Sequence, residues 1–215
     1  SFATETAAIS NFLQTPTFHN HPAFLFATPV GMAAVIQPTL DFGDVQIPTS
    51  YRNAVMSALK DYWIAAINKE LEGLIANDTW DVVNECDIPP GSNIMNCHFV
   101  FAVKRNPDGS VAKFKARLVA DGNSQKYGVD FDRVFATVVK MSTLRLMLLL
   151  AALNDYNLSS LDVTQAFLQA HVEDDLFMRV PPGLPRYRDG QKLIIKLRRS
   201  LYGLRQASRA WQELL

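Results

Sequence analysis

Three cations stand two residues apart in 113-KFKAR-117: Lys113, Lys115 and Arg117, with Phe114 and Ala116 between them. At strand spacing they share one face, and Lys104–Arg105 lie across a turn from them. Cations grouped this way can reach along a phosphate chain, Arg with a bidentate fork and Lys as a point charge. Taken alone, the stripe favours a plainer role, in which lysines keep an exposed strand soluble and guard its edge. The second candidate is Asp162, in 158-LSSLDVTQAF-167. Asp is disfavoured in strands, so between Leu161 and Val163 it belongs where a strand emerges. A carboxylate there suits a hard cation such as Mg2+. The Val163 carbonyl could add a second oxygen, and the amides of Gln165 and Ala166 could meet an anion if a turn follows. Against this stands an ordinary helix N-cap on a segment starting at Val163, the commoner role for a lone Asp.

Other reactive side chains carry less. The run 173-EDD-175 is a solvated acidic stretch, since three adjacent carboxylates cannot all face one site. His19, His21, His98 and His171 are scattered, and Cys86 and Cys97 have no CxxC spacing. That pattern disfavours a zinc site and suggests a reducing compartment. Neither a P-loop, nor GxGxxG, nor GxSxG occurs.

The elements that must position these residues follow from periodicity. Trp63, Ile67, Leu71 and Leu74 fall on one face of a helix entered from 48-PTSYRNAVMS-57 and ended by Asn77–Asp78. Residues 79–83 form a strand and 89-PPG-91 a turn. Residues 98–105 and 111–120 form a hairpin about 106-NPDG-109, with Ala112, Phe114, Ala116, Leu118 and Ala120 opposite the cations. Residues 143–156 predict a deeply buried helix capped by Ser142 or Thr143. Strands are expected over 159–163, 176–180 and 191–199, and a helix over 206–215. The mixture predicts an α+β domain with packed helices and an antiparallel sheet over residues 47–215, preceded by an irregular arm or linker over 1–46.

Of the 215 residues, 48% are hydrophobic and 20% charged, an ordinary globular composition. Net charge is zero, but residues 1–95 carry 3 basic and 10 acidic groups whereas residues 96–150 carry 9 and 4. A basic middle is compatible with a polyanionic partner or with a solvated face. The most apolar early stretch, residues 23–36, is interrupted by Pro29 and Gly31 and is too short to span a bilayer. The first basic residue is Arg52, which disfavours a secretory leader with a basic start.

In order, 79-TW-80, 108-DGSVAKFKARLVADG-122, 124-SQKYGVDFDRVFATVVK-140, 160-SLDVTQAFLQ-169, 177-FMRVPPG-183 and 196-KLRRSLYGLRQASRAW-211 form a specific set. Together they resemble the reverse transcriptase of copia-type retrotransposons, from about Pro48 onward. The resemblance implies a right-hand polymerase, of which these residues would be the fingers and a partial palm. It implies DNA synthesis on an RNA or DNA template with a primer, from deoxynucleoside triphosphates, with two Mg2+ ions or Mn2+. It also implies a place within a polyprotein, in a cytoplasmic particle or the nucleus, neither secreted nor joined to a membrane.

By position, Asp162 resembles the first catalytic aspartate and metal ligand, and the Val163 carbonyl its companion ligand. Gln165 and Ala166 resemble the amides beside the triphosphate, and Phe167 the wall that excludes a 2′-hydroxyl. Arg117, with Lys115 or Lys104, resembles the finger cations on the triphosphate, and Gln206 the glutamine that positions nucleotide and template. The family's Tyr-x-Asp-Asp hairpin is missing from the chain, so a polypeptide of these residues alone is expected to be inactive. Asp121, Ala102, His98, Thr137, Ala170–His171 and Ser208 depart from the usual pattern. Two further expectations stand beside the polymerase: a non-catalytic nucleic-acid-binding remnant, and a decayed transposon fragment without stable tertiary structure.

Overall fold

The structure is a computed structural model and describes residues 45–215. The irregular arm expected over 1–46 therefore falls almost wholly outside the described residues. The first helix, α1 (Tyr51–Met56), is capped by Ser50, whose hydroxyl accepts the Asn53 N–H at 3.2 Å. Helix α2 (Lys60–Ala76) follows, and its Trp63, Ile67, Leu71 and Leu74 are all buried, as their spacing predicts. Asn77 ends it, with its backbone and side-chain N–H groups both donating to the Gly73 carbonyl.

The hairpin of β3 (Cys97–Arg105) and β4 (Val111–Ala120) is antiparallel, with Phe99 opposite Leu118 and Lys104 opposite Lys113. One face holds Phe99, Phe101, Phe114, Ala116 and Leu118, all buried. Helix α2 packs on that face: the Trp63 ring meets Phe101 at 5.3 Å and Phe114 at 4.7 Å, both edge-on. The strict apolar–polar alternation of β4 is thus explained by one covered and one open face. Ala112, expected on the covered face, is exposed near the turn.

A second sheet contains β1 (Trp80–Asn84), β2 (Ile94–Met95), β5 (Phe177–Arg179), β6 (Tyr187–Arg188) and β7 (Gln191–Leu197). Its path runs β1, β7, β5, β2, with β6 also paired to β7. Trp80 pairs with Leu197 and Asn84 with Leu193. The sheet is mixed rather than wholly antiparallel, because β2 runs parallel to β5. Thr79 joins this sheet to α2: its hydroxyl donates to the Leu74 carbonyl at 2.6 Å, and its own carbonyl accepts from Arg198 and Arg199.

Two expectations are corrected. Residues 159–163 do not form a strand; none of the described strands pairs with them, and Leu161 is 93% exposed. Strand formers need a ladder to satisfy their backbone groups, and this stretch has none among the described residues. The apolar helix is present as α3 (Met141–Leu153), but only Ala151 on it is buried. Its N-cap is Lys140, with no side-chain cap from Ser142 or Thr143. An apolar sequence shows that a helix calls for a cover, not that the described residues supply one. Two short helices complete the fold, α4 (Ala166–Gln169) and α5 (Ala207–Leu214).

Candidate functional site

The open face of the hairpin carries the cations. Register places Val100, Ala102 and Lys104 opposite Arg117, Lys115 and Lys113, so all six share that face. Lys104 and Lys113 are directly opposed, an arrangement of like charge that costs stability unless an anion lies between. Burial holds the Lys115 ammonium below its usual pKa, and the neighbouring charges of Arg117 and Lys104 push in the same direction. Glu70 acts from α2: its Oε1 accepts the Leu118 N–H at 3.2 Å, clamping β4 to the helix. Burial raises the Glu70 carboxyl above its usual range, while that bond and the charges of Lys115 and Arg117 oppose the shift.

The loop 201–206 docks on the base of this strand. Ala120 donates its N–H to the Tyr202 carbonyl at 2.8 Å. Gly203 has φ +92°, and a Cβ there would lie 2.1 Å from the Ala120 carbonyl oxygen and 2.6 Å from Val119 Cγ1. Only glycine permits that approach. It brings the Tyr202 ring under Arg117, whose Cζ lies 5.2 Å from the ring centroid. The same ring meets Phe167 at 5.2 Å and 66°. Arg117 and Phe167, expected separately from sequence, therefore share one aromatic neighbour. Sequence reasoning misses Tyr202 itself. Its place depends on a contact across the whole domain, and the one local signal is its position beside 203-GLRQAS-208.

The remaining candidates are placed differently. Asp162 and Val163 lie in the exposed segment ahead of α4. Asp162 does not cap α4; Gln165 occupies that position, at φ 52°, and makes no side-chain cap bond. The Gln165 side chain turns instead toward α2, accepting from Asn77 Nδ2 at 3.2 Å, where Gly73 leaves room for it. Ala166 begins α4. Gln206 is buried, and its amide is engaged internally: its Oε1 accepts from Gln125 at 3.0 Å, and its Nε2 donates to the Asp130 carbonyl at 2.9 Å and to Asp174 at 3.3 Å.

The sequence departures are built into this framework. Asp121 and His98 pair at 2.7 Å, so two of them meet. Thr137 donates its N–H to Gln212 Oε1 at 2.8 Å, a bond that proline could not make. A cleft of about 490 Å3 lined by residues such as Asp81, His171, Asp175, Lys196 and Arg198 shares no residue with the cationic site. Its charges are partly paired within it, Arg198 with Asp81 and Lys196 with Asp175, each at 2.6 Å.

The donors present do not complete the expected metal centre. Among the described residues no group of three His, Cys, Asp or Glu side chains converges as a metal site. Asp162 with the Val163 carbonyl is too small a donor set to specify Mg2+, and these residues do not by themselves fit a two-ion centre. No helix among the described residues is long and apolar enough to cross a membrane.

Comparison with known proteins gives the same direction as the motifs. Residues 77–215 match the family described as reverse transcriptase (RNA-dependent DNA polymerase). The chain is 38% identical over 160 residues to the retrovirus-related Pol polyprotein from transposon RE2 of Arabidopsis thaliana, covering 74% of this chain and 11% of that protein. It is 40% identical over 162 residues to the corresponding polyprotein from transposon RE1 of the same plant, again covering 74% and 11%. With the polyprotein from transposon TNT 1-94 of Nicotiana tabacum it shares 37% over 168 residues, 78% of this chain and 12% of that one. The chain thus spans only about a ninth of the length of these relatives. No solved structure gives a significant match. With its ordered motifs, a family match over residues 77–215 and these three relatives, the chain belongs to the reverse transcriptase (RNA-dependent DNA polymerase) family.

Proposed function

We propose that the chain is the fingers and first part of the palm of an RNA-directed DNA polymerase within a retrotransposon polyprotein. The observation that carries this reading is the cationic face of the hairpin. Lys104, Lys113, Lys115 and Arg117 crowd one another there, with Arg117 ending over the Tyr202–Phe167 pair. A triphosphate laid along that face relieves their mutual repulsion, and nucleotidyl transfer depends on such positioning and charge neutralisation. Phe167 then lies at the sugar, and template and primer meet the protein through backbone phosphates and stacked bases. Asp162 would supply one carboxylate toward a Mg2+ or Mn2+ ion, whose remaining carboxylates would have to come from beyond the described residues. The 215 residues hold no Tyr-x-Asp-Asp, so this polypeptide alone binds nucleic acid without extending a primer.

Binding to a labelled RNA–DNA primer–template, followed by fluorescence anisotropy across a salt series, tests the reading. Changing Lys113, Lys115 and Arg117 together to Ala should weaken binding at every sequence and reduce the salt slope by about one for each phosphate no longer neutralised. Unaltered affinity and slope would remove the hairpin from the interface. Primer extension by the unsupplemented chain would refute its inactivity.

A second reading is a remnant that binds nucleic acid without catalysis, which the same cationic face of the hairpin would serve. Reading the adjoining genomic frame separates the two. An open frame reaching Tyr-x-Asp-Asp supports the polymerase, and stop codons support the remnant.

A further inference from the structure

Tyr202 has no role in the polymerase reading, yet it touches two of the residues that reading depends on. An arginine on the open face of a strand ordinarily samples many rotamers. Here the guanidinium lies over a ring face, which attracts it through the ring's electron density. The ring also packs near-perpendicular to Phe167, the favoured geometry for an aromatic pair. Its own position is fixed by the main chain, through the bond from Ala120 and the close approach of Gly203 to Val119. Val119 lies two residues beyond Arg117 on the same strand face. Strand, ring and Phe167 are therefore locked in one register.

We propose that Tyr202 is a positioning residue that sets Arg117 on the triphosphate and Phe167 against the sugar together, so that one side chain couples phosphate grip to rejection of the 2′-hydroxyl. The proposal rests on the nucleotide-binding reading of this face. The ring, not the hydroxyl, makes both contacts, so Tyr202→Phe preserves the coupling. Tyr202→Leu fills much of the space and abolishes it.

The test is calorimetric binding of inorganic tripolyphosphate, dUTP and UTP to the 215-residue chain in Mg2+ buffer; the two nucleotides differ only at the 2′ position. The parent chain is expected to favour dUTP. Tyr202→Leu should weaken tripolyphosphate binding about two- to fivefold, the range of an exposed cation–π contact, and bring the dUTP-to-UTP ratio toward one. Tyr202→Phe should restore both. Where the Leu chain does not fold, Tyr202→Met, a flexible filler without a ring, supplies the same comparison. Equal affinity of the parent for dUTP and UTP overturns the proposal. So does a ringless variant with parental grip or parental ratio, and in that case the nucleotide-binding reading stands. Arg117→Ala with unchanged tripolyphosphate affinity overturns that reading itself, and this proposal with it.

Discussion

Gly203 is the residue on which the site's geometry turns. It sits at positive φ, and its missing side chain lets the 201–206 loop lie against β4. Gly203→Ala is expected to lower unfolding stability by at least about 1–3 kcal/mol in a denaturant titration, the cost of backbone strain in that region, with the clash of the new Cβ against the Ala120 carbonyl adding to it. The cysteines give a second residue-level outcome. Burial pushes the Cys97 thiol up to about 12, with the Asp121 charge adding to it, and its Sγ donates to the Arg179 carbonyl. Cys86 is exposed. Alkylation of the folded protein at mildly alkaline pH should therefore label Cys86 and spare Cys97 until denaturant is added, because only the thiolate reacts. Mass spectrometry of the labelled peptides reads the outcome; equal rates would mean that the fold does not shelter Cys97.

At the scale of elements, α2 and β4 are joined by Glu70. In the unfolded chain its carboxyl titrates near 4.5, and in the fold it holds its proton to higher pH because it is buried. Between those values the native state binds more protons than the unfolded state, so stability falls as pH rises through the window. Asp174, also raised chiefly by burial, acts in the same sense from 3.8 upward. Glu70→Gln retains an acceptor for Leu118 and removes the buried charge. Urea unfolding across mildly acidic to neutral pH should show a shallower decline for the variant; an unchanged slope would place the linkage elsewhere. The same elements show what a sequence discloses. Trp63, Ile67, Leu71 and Leu74 announce their face because a single packed surface imposes a single period. Lys113, Lys115 and Arg117 do so for the same reason. The two-residue β2 is too short to carry a period, and its parallel pairing with β5 depends on distant residues. Asp162 reads as a strand end because apolar neighbours look alike whether or not a ladder partner exists. Tyr202 is hidden by distance: nothing near it in the chain points to Arg117.

For the whole molecule, the dominant feature is α3. Leu146, Met147, Leu149 and Leu153 are each more than half exposed, alongside Leu144, Leu148 and Leu150. A contiguous apolar surface of this kind drives association unless it is covered. The chain is expected to self-associate at micromolar concentration and to bind a hydrophobic dye. Leu146→Glu with Leu149→Lys should shift it toward the monomer in light scattering, and unchanged association would locate the sticky surface elsewhere. The pairing of β1 with β7 has a different consequence, in time rather than space. Trp80 meets Leu197, so during translation at roughly 5–20 residues per second β1 waits on the order of ten seconds for its partner to be made. Hairpin β3–β4 is local and can close as it leaves the ribosome. Tyr202 emerges later still than β7, so the cations are arrayed first and the aromatic floor beneath Arg117 is laid last.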